Sequence, residues 1–510
     1  MGMEKIIVLD FGGQYNQLIA RRVRDLHVYS EVLPFSTDLS VLSGPDIKGI
    51  IFTGGPSSVY EDASPRVDPK IYELGKPILG ICYGAQLIAY QHHGVVAPIK
   101  EREYGLRTIQ INPRSPLFSS LAVDQEVFMS HGDQIVSLPN DFALTSSSPT
   151  CPIASYECPS KNLYGVQFHP EVEHSVHGQD ILSRFVFGIC GASPSWRSED
   201  FLEAKIREAR EQIGDKQVLC ALSGGVDSAV VATLLSKAVG KRLTCIFVDH
   251  GLLRKGEAEQ VKATFSHKEM NFIAVDASRL FFSALKGVTD PEAKRKIIGQ
   301  CFVDVFSQEE KKLQGTGSFF LAQGTIYPDR IESGLGISAK IKSHHNVGGL
   351  PKELDFLGLV EPLRDLFKDE VRSIGRLLGL PEEIVSRQPF PGPGLGIRII
   401  GEVTPERVKK CQEADAIFRE ELSKAGIHSS QYFAALSNMR SVGVQGDFRT
   451  YDEAVVLRAV NTDDFMTASP TPIPYEVLQK ASSRIVNEVQ GVNRVLFDIT
   501  SKPPSTIELE

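Results

Sequence analysis

The sequence predicts an α/β protein: two parallel-sheet α/β domains followed by a small α+β C-terminal domain. Three observations predict it. Short apolar runs alternate with helix-spaced segments from residue 5 to about residue 190. The same rhythm restarts after residue 200. Beyond Pro389-Phe-Pro-Gly-Pro-Gly394, the densest proline/glycine stretch of the chain, strands and helices mix without that rhythm.

Taken in order, Lys5–Asp10 is an apolar run leading into Gly12-Gly13, and Gln14–Leu26 has helical spacing. Gly49–Thr53 is a second run, ending in Gly54-Gly55-Pro56, and Pro77–Ile81 is a third. Short buried strands alternating with helices imply a parallel sheet. Gly191-Ala-Ser-Pro-Ser-Trp196 interrupts the pattern, and a charged amphipathic helix is predicted over Asp200–Ile213. Strands follow at Gln217–Leu222, Leu243–Asp249, Phe272–Asp276 and Phe319–Gln323. The last part carries predicted strands at Gly396–Ile400, Ser441–Gln445 and Arg494–Ile499, with two or three helices. The expected domains are residues 4–193, 196–389 and 390–510.

Composition agrees with this plan. The 510 residues suggest about three domains at roughly 150 residues each. With 55 basic and 63 acidic residues the net charge is −8, which argues against nucleic acid as a partner but leaves room for a local basic pocket around a phosphorylated small molecule. No apolar run approaches the ~20 residues of a membrane helix, so no membrane partner is expected. The N-terminal Met1-Gly2-Met3-Glu4-Lys5-Ile6 has no apolar leader and no myristoylation pattern. Eight cysteines without a CxxC pair fit a reducing cytoplasm and argue against a disulfide framework or a structural zinc site.

One cysteine stands out. Gly80-Ile81-Cys82-Tyr83-Gly84 follows a predicted strand and precedes a helical stretch, the G-x-nucleophile-x-G elbow with sulfur in place of a hydroxyl. The flanking glycines suit a sharp strand-to-helix turn, and a helix N-terminus behind the sulfur favours the thiolate. Such a cysteine needs a base and an orienting acid. Gly165-Val-Gln-Phe-His169-Pro170-Glu171 supplies both: Pro170 is expected to hold His169 extended, so that Glu171 shares its face. A cysteine without such surroundings is ordinarily a small buried hydrophobe. Cys151, Cys158, Cys190, Cys220, Cys245, Cys301 and Cys411 are read that way, and His92, His93, His174 and His177 as surface or supporting residues.

Gly80–Gln86, His169-Pro170-Glu171 and the Gly54-Gly55 turn resemble a class I glutamine amidotransferase domain. The resemblance implies that Cys82 attacks the glutamine carboxamide, His169 shuttles protons and Glu171 orients His169. Backbone N–H groups near Gly55 and Tyr83 would form the oxyanion hole, and the product would be ammonia. Ser130-His131-Gly132-Asp133 resembles a family segment near the glutamine site.

A second motif is Ser223-Gly224-Gly225-Val226-Asp227-Ser228-Ala229, between a predicted strand and a helix. Two glycines let the backbone approach phosphate oxygens, and the helix N-terminus adds donors and a favourable dipole. Asp227 repels an anion, so it holds Mg²⁺ or shapes the loop. The lysine of a Walker A loop is absent. The motif resembles the PP-loop of ATP pyrophosphatases, which implies ATP as substrate, cleaved between the α and β phosphates. Val248-Asp249-His250-Gly251 ends the next strand, on the edge where open α/β sheets bind ligands.

Lys340-Ile-Lys342-Ser-His344-His345-Asn346-Val-Gly348-Gly349 is basic and glycine-rich, and reads as a lid whose lysines neutralise triphosphate charge. Gly324-Thr325-Ile-Tyr-Pro328-Asp329 and Glu332-Ser333 are expected in the same cleft. The whole combination, with FPGPGLGIR and the Lys502-Pro503-Pro504-Ser-Thr506-Ile507-Glu508 tail, resembles the glutamine-hydrolysing GMP synthetase family over essentially the full chain. It implies XMP, ATP and glutamine as substrates, with Asp447, Lys502 and Glu508 at XMP, and a homodimer through the C-terminal domain. The family's usual E-W-E end is Glu508-Leu509-Glu510 here, and Leu509 can pack in a similar place. NAD synthetase has a similar phosphate loop, but its glutaminase carries a Glu-Lys-Cys set rather than His-Pro-Glu. A PP-loop RNA-modifying enzyme would want a basic surface, and a non-catalytic regulator would have lost Cys82, His169 or Asp227.

Overall fold

The computed structural model describes residues 3–313, 318–329, 356–445, 447–462 and 467–510, apart from the side chains of residues 100–102 and 445. Lys340, Lys342, His344, His345, Glu332 and Ser333 lie outside the described residues. The described chain divides into two compact units, one ending at Phe201 and one beginning at Leu202.

The first unit holds β1 (Lys5–Asp10), β2 (Tyr29–Pro34), β3 (Ile47–Phe52), β4 (Ile78–Ile81), β5 (Val95–Ile111), β6 (Asp124–Ser137), β7 (Ala143–Ser147), β8 (Ser155–Cys158) and β9 (Leu163–Val166). They form one sheet of order β2-β1-β3-β4-β9-β8-β7-β5-β6. The half from β2 to β9 is parallel, as predicted. Its strands are buried on both faces, with Ile6, Ile7, Val8 and Leu9 fully enclosed. The other half is antiparallel. Its long strands alternate buried and exposed residues, as along β6, so they carry no continuous apolar run.

The second unit contains β10 (Gln217–Leu222), β11 (Leu243–Asp249), β12 (Asn271–Asp276), β13 (Phe319–Ala322) and β14 (Leu359–Val360), in the all-parallel order β12-β11-β10-β13-β14. A further sheet in the same unit joins β15 (Gln431–Gln445), β16 (Phe448–Asn461), β17 (Ser469–Pro470) and β18 (Val492–Asp498). The helices Pro405–Lys424 and Tyr475–Glu488 belong to this part. The first starts on a Thr404 cap, whose side chain accepts from Arg407 N–H at 3.2 Å, with Pro405 in the first turn.

The predicted strand Gly396–Ile400 is not one. Gly394–Ile397 is a 3₁₀ turn, and Ile399 makes only an isolated bridge to Leu436. The backbone closes turns instead: Gly396 N–H donates to Pro393 O at 3.2 Å and Arg398 N–H to Leu395 O at 2.9 Å. Just before them Leu395 N–H donates to Leu252 O at 2.8 Å, and Gly394 sits at φ +63°, where a Cβ would lie 2.4 Å from that same oxygen. The proline/glycine stretch therefore docks on the loop after β11 rather than hanging free. One apolar core runs from Leu219 and Ile246 of the parallel sheet to Leu436 and Val455 of the C-terminal sheet. Among the described residues no helix is long and apolar enough to cross a membrane.

Candidate active sites

Cys82 occupies the sharp turn between β4 and the helix Tyr83–Gln91, at φ +53° and ψ −106°. For a residue with a Cβ this is a strained conformation, of the kind held at functional sites by surrounding structure. The strain sits on the cysteine, and the glycines serve another purpose. A Cβ on Gly80 would lie 2.5 Å from Ala85 N, and one on Gly84 would lie 2.5 Å from Phe52 O. Both are required because β4, the helix and β3 approach too closely for any side chain. Cys82 N–H donates to Val166 O at 2.8 Å and Gly84 N–H to Thr53 O at 3.1 Å, which locks the turn into the sheet.

His169 reaches the sulfur from the segment after β9. A Cβ on Gly54 would lie 3.3 Å from His169 Cε1 and 3.7 Å from Cys82 Cβ, so both side chains meet over that glycine. His169 Nδ1 is 2.7 Å from Glu171 Oε1, and both side chains are buried. Pro170 and Glu171 form a turn rather than the expected extended run, and the turn closes the pair. Burial works against charge on His169. The Glu171 carboxylate and the contact with Cys82 outweigh it and hold the imidazole pKa well above its ordinary value. The segment is fastened by His169 N–H to Phe128 O (3.0 Å), Ser175 Oγ to His169 O (2.6 Å) and Arg22 Nε to Glu171 O (2.9 Å). Gly178 packs so tightly on Pro170 that a Cβ there would overlap its carbonyl oxygen.

Gly55 and Tyr83 are brought together as expected: a Cβ on Gly55 would lie 3.3 Å from Tyr83 Cγ. Tyr83 N–H is the first amide of its helix and has no intrahelical acceptor. Ser130 O lies 3.7 Å from Cys82 Sγ, which puts the Ser130–Asp133 segment of β6 beside the nucleophile. Two glutamines escaped sequence reasoning although they stand inside the motifs. Gln167 Nε2 points at Cys82 Sγ (3.7 Å), and Gln86 Nε2 donates to Gln167 Oε1 (3.1 Å) and Asp133 O (2.8 Å). Arg22, Ser175 and Gly178 had no signal, because their partners are distant in sequence or lie on backbone atoms. The remaining cysteines are buried apart from the half-buried Cys190, and burial pushes the Cys151 and Cys411 thiols up to about 12.

In the second unit, Ser223–Ala229 spans the end of β10 and the start of the helix Val226–Val239. Gly224 takes φ +80°. Ser223 and Ser228 hydroxyls are 3.1 Å apart, and Ser228 Oγ donates to Gly225 O at 3.1 Å, so the two serines fold the loop over the helix N-terminus. Asp227 accepts from Lys368 Nζ at 2.6 and 2.7 Å. That lysine, which opens the helix Lys368–Leu377, carried no motif signal. Gly324 lies against Asp227, as expected for the cleft. Of Asp249 and His250, only Asp249 remains at the sheet edge. His250 is buried against Phe281 and Phe302, accepts from Leu252 N–H, and is pushed down to about 4 by burial.

The C-terminal tail is stitched down. Glu508 accepts from Arg398 (2.7 and 3.0 Å) and from Gln431 (2.8 Å), and Lys502 pairs through its backbone with Ala468. Burial disfavours charge on Arg398, yet Glu508 holds its pKa raised. Leu509 packs on the cluster of Phe433, Ala435, Val460, Ala468 and Ile507. Asp447 is exposed at the turn between β15 and β16. From there to Val460, beside Gln431 and Pro470, the strand runs about 40 Å at roughly 3.3 Å per residue. Within one chain Asp447 is therefore not brought to Lys502 and Glu508.

The family model of class-I glutamine amidotransferases matches residues 7–189, that of the GMP synthase C-terminal domain residues 420–509, and that of NAD synthase residues 196–294. Fold and motifs thus define a class I glutamine amidotransferase joined to a PP-loop synthetase. A glutamine-hydrolyzing GMP synthase of Clostridium botulinum (strain Eklund 17B / Type B) is 57% identical over 515 residues, covering 100% of both chains. The enzyme of the same name from Acetivibrio thermocellus is 56% identical over 513 residues, again covering 100% of both. That of Bacillus thuringiensis subsp. konkukian (strain 97-27) is 56% identical over 510 residues, covering 99% of this chain and 98% of the other. The chain belongs to the glutamine-hydrolysing GMP synthase family. The NAD synthase match covers only part of the phosphate-loop region, and the full-length relatives decide between the two readings.

Proposed function

We propose that this chain makes GMP from XMP, ATP and glutamine, in the division of labour 4–193, 196–389 and 390–510. The observation that carries the reading is full-length likeness to GMP synthases together with both intact motifs in one chain. In the first domain His169 takes the Cys82 thiol proton, and the thiolate attacks the glutamine Cδ. The oxyanion is held by N–H groups of Gly55 and Tyr83. His169, kept oriented by Glu171, passes the proton to the departing nitrogen, and ammonia leaves. Water then cleaves the glutamyl thioester to glutamate.

In the second domain the Ser223–Ala229 amides and hydroxyls hold the ATP phosphates. The C2 oxygen of XMP attacks the α-phosphorus, pyrophosphate departs, and ammonia then displaces AMP from C2 to give GMP. Lys340, Lys342, His344 and His345 would close over the triphosphate. Lys502 and Glu508 would hold XMP, and Asp447 could serve only from another copy. A hard carboxylate such as Asp227 fits Mg²⁺, which keeps several waters and binds phosphates. When bound, the ion would neutralise triphosphate charge, and Asp227 would hold it once Lys368 turned to the phosphates. A cytoplasmic setting suits a nucleophilic thiol that must stay reduced.

A homodimer through the C-terminal domain is supported by the β15–β16 hairpin. Val442, Val444 and Tyr451 share one face there and stand 61–74% exposed, an apolar patch that a second copy would cover. The test of function is pyrophosphate release from ATP with ammonia, comparing XMP with deamido-NAD. Release that depends on XMP is expected, and release that depends on deamido-NAD would overturn the reading.

A further inference from the structure

Behind the nucleophile, three side chains converge that the proposed reaction does not use. Glu103 of β5 and His131 of β6 are direct cross-strand partners. Cys151 joins them from the connection between β7 and β8. All three are buried, at 3%, 4% and 0% exposure, and a carboxylate oxygen, an imidazole nitrogen and the sulfur all lie within 4.8 Å of one another.

The hydrogen-bond pattern leaves this cluster unfinished. His131 Nδ1 faces Asp133 O at 3.0 Å. A carbonyl can only accept, so Nδ1 carries the ring hydrogen, and in the neutral ring Nε2 presents a lone pair. That nitrogen lies 3.0 Å from Glu103 Oε2, an ion-pair distance, and among the described residues neither Glu103 oxygen nor Nε2 has a hydrogen-bond partner. A buried carboxylate beside an imidazole lone pair is costly unless a cation, a proton or a metal ion, is shared between them. The Cys151 thiol donates to Ile153 O at 3.5 Å.

We propose that Glu103, His131 and Cys151 form a binding site for a zinc-class divalent cation. One nitrogen, one carboxylate and one sulfur are the ligand set of borderline-soft zinc, and the sulfur disfavours magnesium or calcium. The carbonyl on Nδ1–H is the supporting contact that orients a metal-binding imidazole. On binding, the Cys151 S–H bond breaks, its proton goes to solvent, and a sulfur–metal bond forms. The site would brace β6 beside the nucleophile, because Ser130 O faces Cys82 Sγ and Asp133 O receives Gln86. The proposal is independent of the synthase reaction, since it is read by absorption and metal content.

The experiment titrates with Co²⁺ the full-length Cys82→Ala protein, in which the competing thiol beside His169 is gone. One cobalt per chain with thiolate-to-cobalt charge-transfer absorption is expected, displaced by Zn²⁺. The band should vanish in Cys82→Ala/Cys151→Ser and in Cys82→Ala/His131→Gln. A folded Cys82→Ala protein without the band overturns the proposal, and so does a band that survives loss of Cys151. Two independent double variants, at Cys151 and at His131, read the same band, so one that fails to fold leaves the test intact.

Discussion

Cys82 shows how much chemistry a single backbone angle can set. Its left-handed φ aims the sulfur out of the sheet, and two glycines that admit no Cβ keep the turn closed. Gly84→Ala should therefore lower unfolding stability by ~1–3 kcal/mol through overpacking against Phe52, read from urea denaturation, and should reduce glutaminase activity further than stability alone. The His169–Glu171 pair makes a prediction about pH. An unfolded histidine titrates near 6.5 and the folded one well above it. The pair's stabilisation is then fully present below about pH 6.5 and lost as pH rises through the folded pKa. The stability gap between the parent and Glu171→Gln should be widest near pH 6 and narrow toward alkaline pH. A gap that widens with pH would contradict the pairing. Cys82, His169 and Glu171 were legible in the sequence because strand, elbow and HPE run are local. Gln167, Arg22 and Lys368 were not, because their partners lie far along the chain.

At the scale of elements, continuous apolar runs revealed the doubly buried strands. Gln217–Leu222 and Leu243–Asp249 lie where the sequence puts them, residue for residue. The antiparallel half of the first sheet was hidden because β5 and β6 bury one face and alternate instead. Gly396–Ile400 differs from its expected strand because local apolarity resembles one, while Gly396 and Arg398 amides close turns on Pro393 and Leu395. The C-terminal tail is an element held by charge: Arg398, fully enclosed, grips Glu508. Arg398→Leu leaves Glu508 with the neutral Gln431 but without its charged partner and should cost about 3 kcal/mol of stability in denaturant titration. It should also raise the KM for XMP, whereas an unchanged KM would detach Glu508 from the substrate. At the β15–β16 hairpin, Val444→Asp should shift the protein to monomer in sedimentation velocity. An unchanged sedimentation coefficient would count against the proposed dimer.

For the whole molecule, the net charge of −8 carries little, since the groups proposed to meet the anionic substrates are local: a glycine loop, Lys368 and the tail. Three sequence domains resolve into two compact units, because the phosphate-loop sheet and the C-terminal sheet share a core. On the proposed function, glutamine hydrolysis falls to one unit and adenylation with XMP binding to the other. The two activities are therefore separable by mutation in one direction only. The most direct test measures GMP formation with glutamine and with ammonium salt in Cys82→Ala and in Asp227→Ala. Cys82→Ala is expected to lose glutamine-supported synthesis by several orders of magnitude while ammonia-supported synthesis stays near the parent rate, and Asp227→Ala should lose both. Equal loss of both activities in Cys82→Ala, or ammonia-supported synthesis retained in Asp227→Ala, would contradict a two-site enzyme.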